Sequence, residues 1–157
     1  MYYTAGTMVQ EDQMAPKFTA MNQYGKKVSL TDFLGKWVVV YFYPKDNTPG
    51  CTKEAIDFSV HLEELSKRNA VVLGVSTQAV DSHKSFAQQF HLAVVLLADV
   101  DAHISRTYGV LKDSGTADRV TVAIDPIGVV RKVWTSVKVD GHISQVLEYL
   151  DSQHTPL

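Results

Sequence analysis

Apolar residues along this chain fall into short continuous runs, separated by stretches with helical spacing. Trp37 to Tyr43 (WVVVYFY) is an unbroken apolar run bounded by Gly35 and Pro44. That is the length and composition of a strand buried on both faces. Ala70 to Ser76 (AVVLGVS) is a second such run, Val94 to Leu97 a shorter third, and Val120 to Asp125 (VTVAID) a fourth. After the first, Ala55, Phe58, Leu62 and Leu65 recur at helical spacing and predict a helix from about 50 to 68. A second helix, capped by Asp81 or Ser82, runs to about Phe90, and a short one spans Asp101 to Tyr108. The last covers Gly141 to Leu150, with Ile143, Val146, Leu147 and Leu150 on one face. Phe18 to Leu30 (FTAMNQYGKKVSL) reads as a hairpin turning near Asn22 to Gly25. Thr31 and Asp32 are placed to cap a short helical turn that ends at Gly35. Asp125-Pro126-Ile127-Gly128 is a turn that sends Val129 to Trp134 back antiparallel. Residues 1 to 16 are polar and mixed, and read as an arm. Early alternation of strands and helices, closed by a hairpin and a helix, gives an α/β layer arrangement with a mixed sheet.

Composition narrows the partners. At 157 residues the chain reads as one domain, long enough to bury about 70% of its unfolded surface. Hydrophobic content of 45% and charged content of 20% are ordinary for a globular protein. A net charge of -2 implies no broad basic surface, so nucleic acid and anionic membrane are poor choices of partner. The first residues lack a basic stretch followed by an apolar core, so no secretory leader is expected. No apolar run approaches the ~20 residues of a membrane helix. A cytoplasmic location is the expectation.

The single cysteine, Cys51, sits where the first buried strand gives way to the first helix. Thr48 is a good N-cap, and Pro49 suits the first helical position, where its missing N–H costs nothing. Cys51 is then the third helical residue, close to unpaired backbone N–H groups and the positive end of the helix dipole. Both favour the thiolate, which is the nucleophilic form. The competing reading is a buried free cysteine acting as a small hydrophobe. Cap, proline and glycine together favour the reactive one.

The stretch Tyr41 to Phe58 (YFYPKDNTPGCTKEAIDF) resembles the active-site segment of the peroxiredoxins, and Pro44-x-x-x-Thr48-x-x-Cys51 is similar to their signature. The longer run resembles the peroxiredoxin Q (bacterioferritin comigratory protein) subfamily, over nearly the whole chain. The resemblance implies a thioredoxin-like fold with an N-terminal hairpin extension. It also implies a thiol peroxidase in which Cys51 attacks a peroxide oxygen and becomes a sulfenic acid. Arg119, bordering the strand at 120–125, resembles the arginine that peroxiredoxins place beside the reactive sulfur. Thr48 has two compatible jobs, capping the helix and bonding the peroxide. Pro44 shapes the loop and shields the sulfur. Glu54 resembles the family's acidic residue after the cysteine. A carboxylate early in a helix also suits the dipole, so it reads as structural. No cofactor or metal is implied. The departure is Ile56, where many peroxiredoxin Q proteins carry a second, resolving cysteine. With one cysteine no intrachain disulfide can form. The oxidised sulfur then needs an outside thiol, from thioredoxin, glutaredoxin or glutathione. Relatives suggest a monomer or weak dimer.

Other signals carry less. His61, His83, His91, His103, His142 and His154 are scattered without ligand spacing and read as surface or capping residues. Tyr43 reads as core packing more readily than as pocket lining. A dithiol oxidoreductase is disfavoured, because there is no Cys-x-x-Cys pair. A non-enzymatic peroxide sensor remains a rival, since a lone cysteine can be oxidised once and recycled slowly.

Overall fold

A computed structural model describes residues 7–154. Its elements, in chain order, begin with β1 (Thr19–Asn22), β2 (Lys27–Ser29), a 3-10 turn (Leu30–Phe33), β3 (Trp37–Phe42), α1 (Pro49–Val60) and α2 (Leu62–Lys67). There follow β4 (Ala70–Ser76), α3 (Val80–Phe90), β5 (Val95–Ala98), α4 (His103–Thr107), β6 (Val120–Ile124), β7 (Val130–Trp134) and α5 (His142–His154). The strands form one mixed seven-stranded sheet in the order β2-β1-β5-β4-β3-β6-β7. This is the α/β, thioredoxin-like architecture with the N-terminal hairpin added at one edge.

All six residues of β3 are buried, as its unbroken apolar run predicts. Its alternate side chains feed two cores. Trp37, Val39 and Tyr41 pack with Ala55 and Phe58 of α1, Leu65 of α2, Phe86 of α3 and Val146 and Leu150 of α5. Val38, Val40 and Phe42 face the opposite way, against Ile104 of α4, Tyr108 and Phe18. Pairing sets what lies at each end of the sheet. β4 is parallel to β3, whereas β6 is antiparallel to it, with Phe42 opposite Val120. The carboxyl end of β3 and the amino end of β6 therefore share one edge.

The long helix expected from about 50 to 68 is two helices. The chain breaks at His61, whose Nδ1 bonds the Asp57 carbonyl at 2.7 Å while its N–H reaches back to Phe58 at 3.2 Å. This local bonding competes with the α ladder. Helix α3 starts at Val80 behind Ala79, with no side-chain cap. Asp81 and Ser82 lie inside it, and the Ser82 hydroxyl bonds Asp46 instead. The 3-10 turn starts after Ser29, and Asp32 lies within it, accepting the Ser29 N–H at 2.9 Å. Helix α5 runs one turn further than its apolar stripe suggested. Of the N-terminal arm, the described part lies along β7 and the end of α4, through Val9 to Tyr108, Asp12 to Val130 and Ala15 to Gly128 backbone bonds. Residues 1–6 of the arm lie outside the described residues. Among the described residues no helix is long and apolar enough to cross a membrane.

One close approach in the sheet is specific to glycine. The Tyr41 ring crosses the face of Gly74 on the neighbouring strand, and a Cβ there would stand 2.6 Å from Tyr41 Cζ. That ring also stacks on Phe58 at 4.6 Å and Tyr43 at 5.6 Å, so it has no free direction in which to move. Gly74→Ala is expected to lower the unfolding free energy by about 1–3 kcal/mol through overpacking, measured by urea denaturation. An unchanged midpoint would show that the ring relocates without cost.

Candidate active site

The loop from Pro44 to Thr48 leaves the carboxyl end of β3 and turns into α1. Asn47 takes a left-handed conformation (φ 63°), and Thr48 is extended in the N-cap position, with Pro49 at the first helical position. Cys51 is third in the helix, as its spacing predicts. The Thr48 carbonyl accepts the first bond of the helix, from the Thr52 N–H at 2.8 Å, and also the Thr52 hydroxyl at 2.7 Å. The Thr48 hydroxyl does not cap the helix. It donates to the Lys45 carbonyl at 3.0 Å, across the turn, which corrects the capping half of its expected double role. Pro44 is half-buried, and its carbonyl accepts from Gln78 Nε2 at 3.2 Å.

Arg119 immediately precedes β6, so the antiparallel register brings it to the same edge as the loop. Its Nη2 donates to Cys51 Sγ at 3.3 Å, and its Nη1 donates to Glu54 Oε1 at 2.7 Å. Gly50 leaves room for this approach, since a Cβ there would meet Nη2 at 3.2 Å. The Arg119 backbone is fixed as well, its carbonyl accepting the Val137 N–H at 3.2 Å. Although burial opposes charge on the guanidinium, Glu54 and Cys51 more than offset it and hold Arg119 protonated. The sulfur is 1% exposed, so it lies beneath the loop rather than open at its mouth.

Glu54 is not the helix-dipole residue that the sequence suggested. It lies beyond the first turn, is 2% exposed, and faces Arg119. Burial pushes its carboxyl up to about 7, against the opposing pull of the Arg119 charge and hydrogen bond. Oε2 has no hydrogen-bond partner among the described residues and is the natural seat for a proton. Tyr41 beneath it is likewise buried, and desolvation, with Glu54 and Cys51 nearby, pushes its hydroxyl far above the ordinary range.

Two histidines expected at the surface are in the core. His83 is fully buried, between the Asp46 carboxylate (Nδ1 to Oδ2, 2.6 Å) and the Leu97 carbonyl (Nε2, 2.9 Å). His142 is buried between Thr121 (2.8 Å) and Gln145 (3.0 Å), and burial, helped by Arg119, lowers its basicity. The signal for His83 was present in the spacing. Val80, His83, Phe86, Ala87 and Phe90 form one helical stripe, and a histidine on such a stripe faces the core. Sequence reading also missed Asp46, whose carboxylate accepts from Tyr43, Ser82 and His83. Burial alone would raise the Asp46 carboxyl, but these hydrogen bonds and the His83 charge bring it below the usual range.

A buried cysteine touched by a guanidinium near the start of a helix, on this sheet, is the arrangement that the resemblance to the peroxiredoxins implies. The AhpC/TSA family model matches residues 12–133, and the chain belongs to that family. Within it the relatives are of the bcp and Q kind. The chain is 44% identical over 146 residues to "Putative peroxiredoxin bcp" of Coxiella burnetii, covering 88% of this chain and 97% of the relative. It is 42% identical over 147 residues to "Peroxiredoxin Q, chloroplastic" of Suaeda salsa, covering 92% and 69%. The solved structure of the Xanthomonas campestris bacterioferritin comigratory protein superposes with a TM-score of 0.83 at 36% identity, covering 88% and 92%.

The raised Glu54 carboxyl has a consequence for stability. Its folded value near 7 exceeds the ordinary 4.5, so the folded state holds an extra proton between these values. That contribution is complete below about pH 4.5 and is lost as pH rises through 7, at most about 3 kcal/mol. Glu54→Gln is expected to flatten the fall of unfolding free energy between pH 5 and 8, relative to wild type, in urea titrations. Parallel profiles would mean the carboxyl is not held up by burial.

Proposed function

We propose that the protein is a thiol-dependent peroxidase reducing hydrogen peroxide and organic hydroperoxides through Cys51, in a one-cysteine cycle. The observation that carries this reading is the 3.3 Å contact between the buried sulfur and Arg119 at the amino end of α1. The thiolate attacks one peroxide oxygen, and the O–O bond breaks. The electron pair leaves with the other oxygen as hydroxide or alkoxide, which takes up a proton, and sulfenic acid remains on Cys51. Arg119 and the first-turn N–H groups are the donors suited to hold the two oxygens in line and stabilise the departing charge, while the Thr48 oxygen, whose own proton goes to the Lys45 carbonyl, is placed to accept from the peroxide hydroxyl. Pro44 walls the loop and keeps water from the sulfur. Alkyl peroxide reduction is named for the Xanthomonas relative, which supports organic hydroperoxides as substrates.

The sequence holds one cysteine, so a second thiol comes from another molecule. Ile56 stands, partly exposed, at the position where many peroxiredoxin Q proteins carry a resolving cysteine. A groove of about 400 Å³ beside it, lined by Asn47, Pro49, Thr52, Lys53, Ile56 and Phe90, lies on the outer side of the same helical turn. Thioredoxin, glutaredoxin and glutathione are the candidate donors, and no resident cofactor is needed. We place the protein in the cytoplasm as a monomer or weak dimer.

Steady-state turnover of peroxide with each of the three thiols in parallel is expected to exceed many equivalents per chain with at least one. A single stoichiometric oxidation with all three would instead identify a sensor. Cys51→Ser is expected to abolish consumption with the fold intact. Arg119→Ala is expected to slow the peroxide step on the order of 100-fold, the usual cost of losing one such donor. Wild-type kinetics in either variant would remove that residue from the reaction.

A further inference from the structure

The loop that carries Thr48 into α1 is fastened from beneath by groups the peroxide chemistry leaves unused. Asp46, at its centre, turns its carboxylate inward, and its side chain is 4% exposed. Tyr43 OH at 2.6 Å, Ser82 Oγ at 2.8 Å and His83 Nδ1 at 2.6 Å converge on it. His83 presents its other nitrogen to the Leu97 carbonyl on β5. Both ring nitrogens thus face oxygen atoms of the protein. Gln78 completes the attachment. Its Oε1 accepts the Asp46 N–H at 2.9 Å, and its Nε2 donates to the Pro44 carbonyl. Ser76, at the end of β4, donates to the same Gln78 oxygen at 2.5 Å.

The loop is therefore tied at two points, Pro44 and Asp46, to β4, β5 and the start of α3. The residue between them, Lys45, supplies the carbonyl that holds the Thr48 hydroxyl. A buried hydrogen-bonded pair contributes little net stability over a well-packed apolar pair, because desolvation offsets most of the attraction. What it supplies is direction. Several charge-assisted bonds converging on one carboxylate leave the loop a single orientation.

We propose that the buried Asp46–His83 pair, with Gln78, is the positioning element of the active loop. It sets Thr48 and the Cys51 turn at the spacing that in-line attack on an O–O bond requires, without touching the reacting atoms. This rests on the peroxidase reading. It adds that α3, far from Cys51 in sequence, determines how well the sulfur handles peroxide as opposed to other electrophiles.

The test compares two single-turnover rates of Cys51, with hydrogen peroxide and with iodoacetamide, in wild type, His83→Gln and Gln78→Ala. Peroxide must be held by both oxygens, whereas alkylation requires only a thiolate within reach. The peroxide rate is expected to fall roughly tenfold or more in His83→Gln, and about threefold or more in Gln78→Ala, since small misplacements are costly. Alkylation is expected to stay level or quicken. Parallel changes in both rates, or no change in either, overturn the positioning role, because a merely structural loss does not separate them. Gln78 is partly exposed, so Gln78→Ala folds and decides the matter alone if His83→Gln does not. Absence of any peroxide reaction in the wild type would take down the peroxidase reading along with this one. A normal wild type with an unaltered rate ratio in the variants removes only the positioning role.

Discussion

The partly exposed Arg119 guanidinium faces the buried Cys51 sulfur at 3.3 Å and the buried Glu54 carboxylate at 2.7 Å. Each of those partners is an anion once deprotonated, and charges in such surroundings act on one another far more strongly than at the surface. Among the described residues the guanidinium is the one cation in direct contact with either. Burial pushes the Glu54 carboxyl up to about 7, so near neutrality it moves between ionised and protonated forms. Protonation of Glu54 removes one of the two groups that face the Arg119 charge.

The sheet makes that contact possible. Cys51 and Arg119 are 68 positions apart in the chain. They meet because β6 runs antiparallel to β3, so the start of one strand adjoins the end of the other. Parallel β4, on the other side of β3, ends at the same edge and delivers Ser76 and Gln78 under the loop. The aromatic stack of Tyr43, Tyr41 and Phe58 forms the floor between them. A rigid, dry base on three strands thus carries a loop whose own backbone includes only one left-handed residue, Asn47.

Local features of the site were legible in the sequence, and long-range ones were not. Thr48, Pro49 and Cys51 announce a helix start through residue types a few positions apart, and the helix begins there. The buried run at 37–43 and the turn at 125–128 speak for themselves in the same way. Arg119 was singled out by family resemblance and by its place bordering the strand at 120–125, and no local motif marks it. Glu54 was misread because its burial depends on a guanidinium 65 positions away. Asp46 and His83, 37 positions apart, each look like ordinary polar residues until the sheet is folded. His83 did carry a trace, its place on the apolar stripe of α3, which a reading of histidines for metal spacing overlooked. Hydrogen-bond competition at His61 likewise broke a helix whose apolar period runs on without a pause.

The most direct measurement of the account is the second-order rate constant of the Cys51 thiolate with hydrogen peroxide, set beside that of an ordinary free cysteine thiolate. A sulfur merely ionised gains nothing over the free thiolate, whereas one whose attack is aligned and whose leaving oxygen is stabilised by Arg119 gains several powers of ten. The expected excess is at least roughly a thousandfold. A rate constant equal to that of the free thiolate would contradict it.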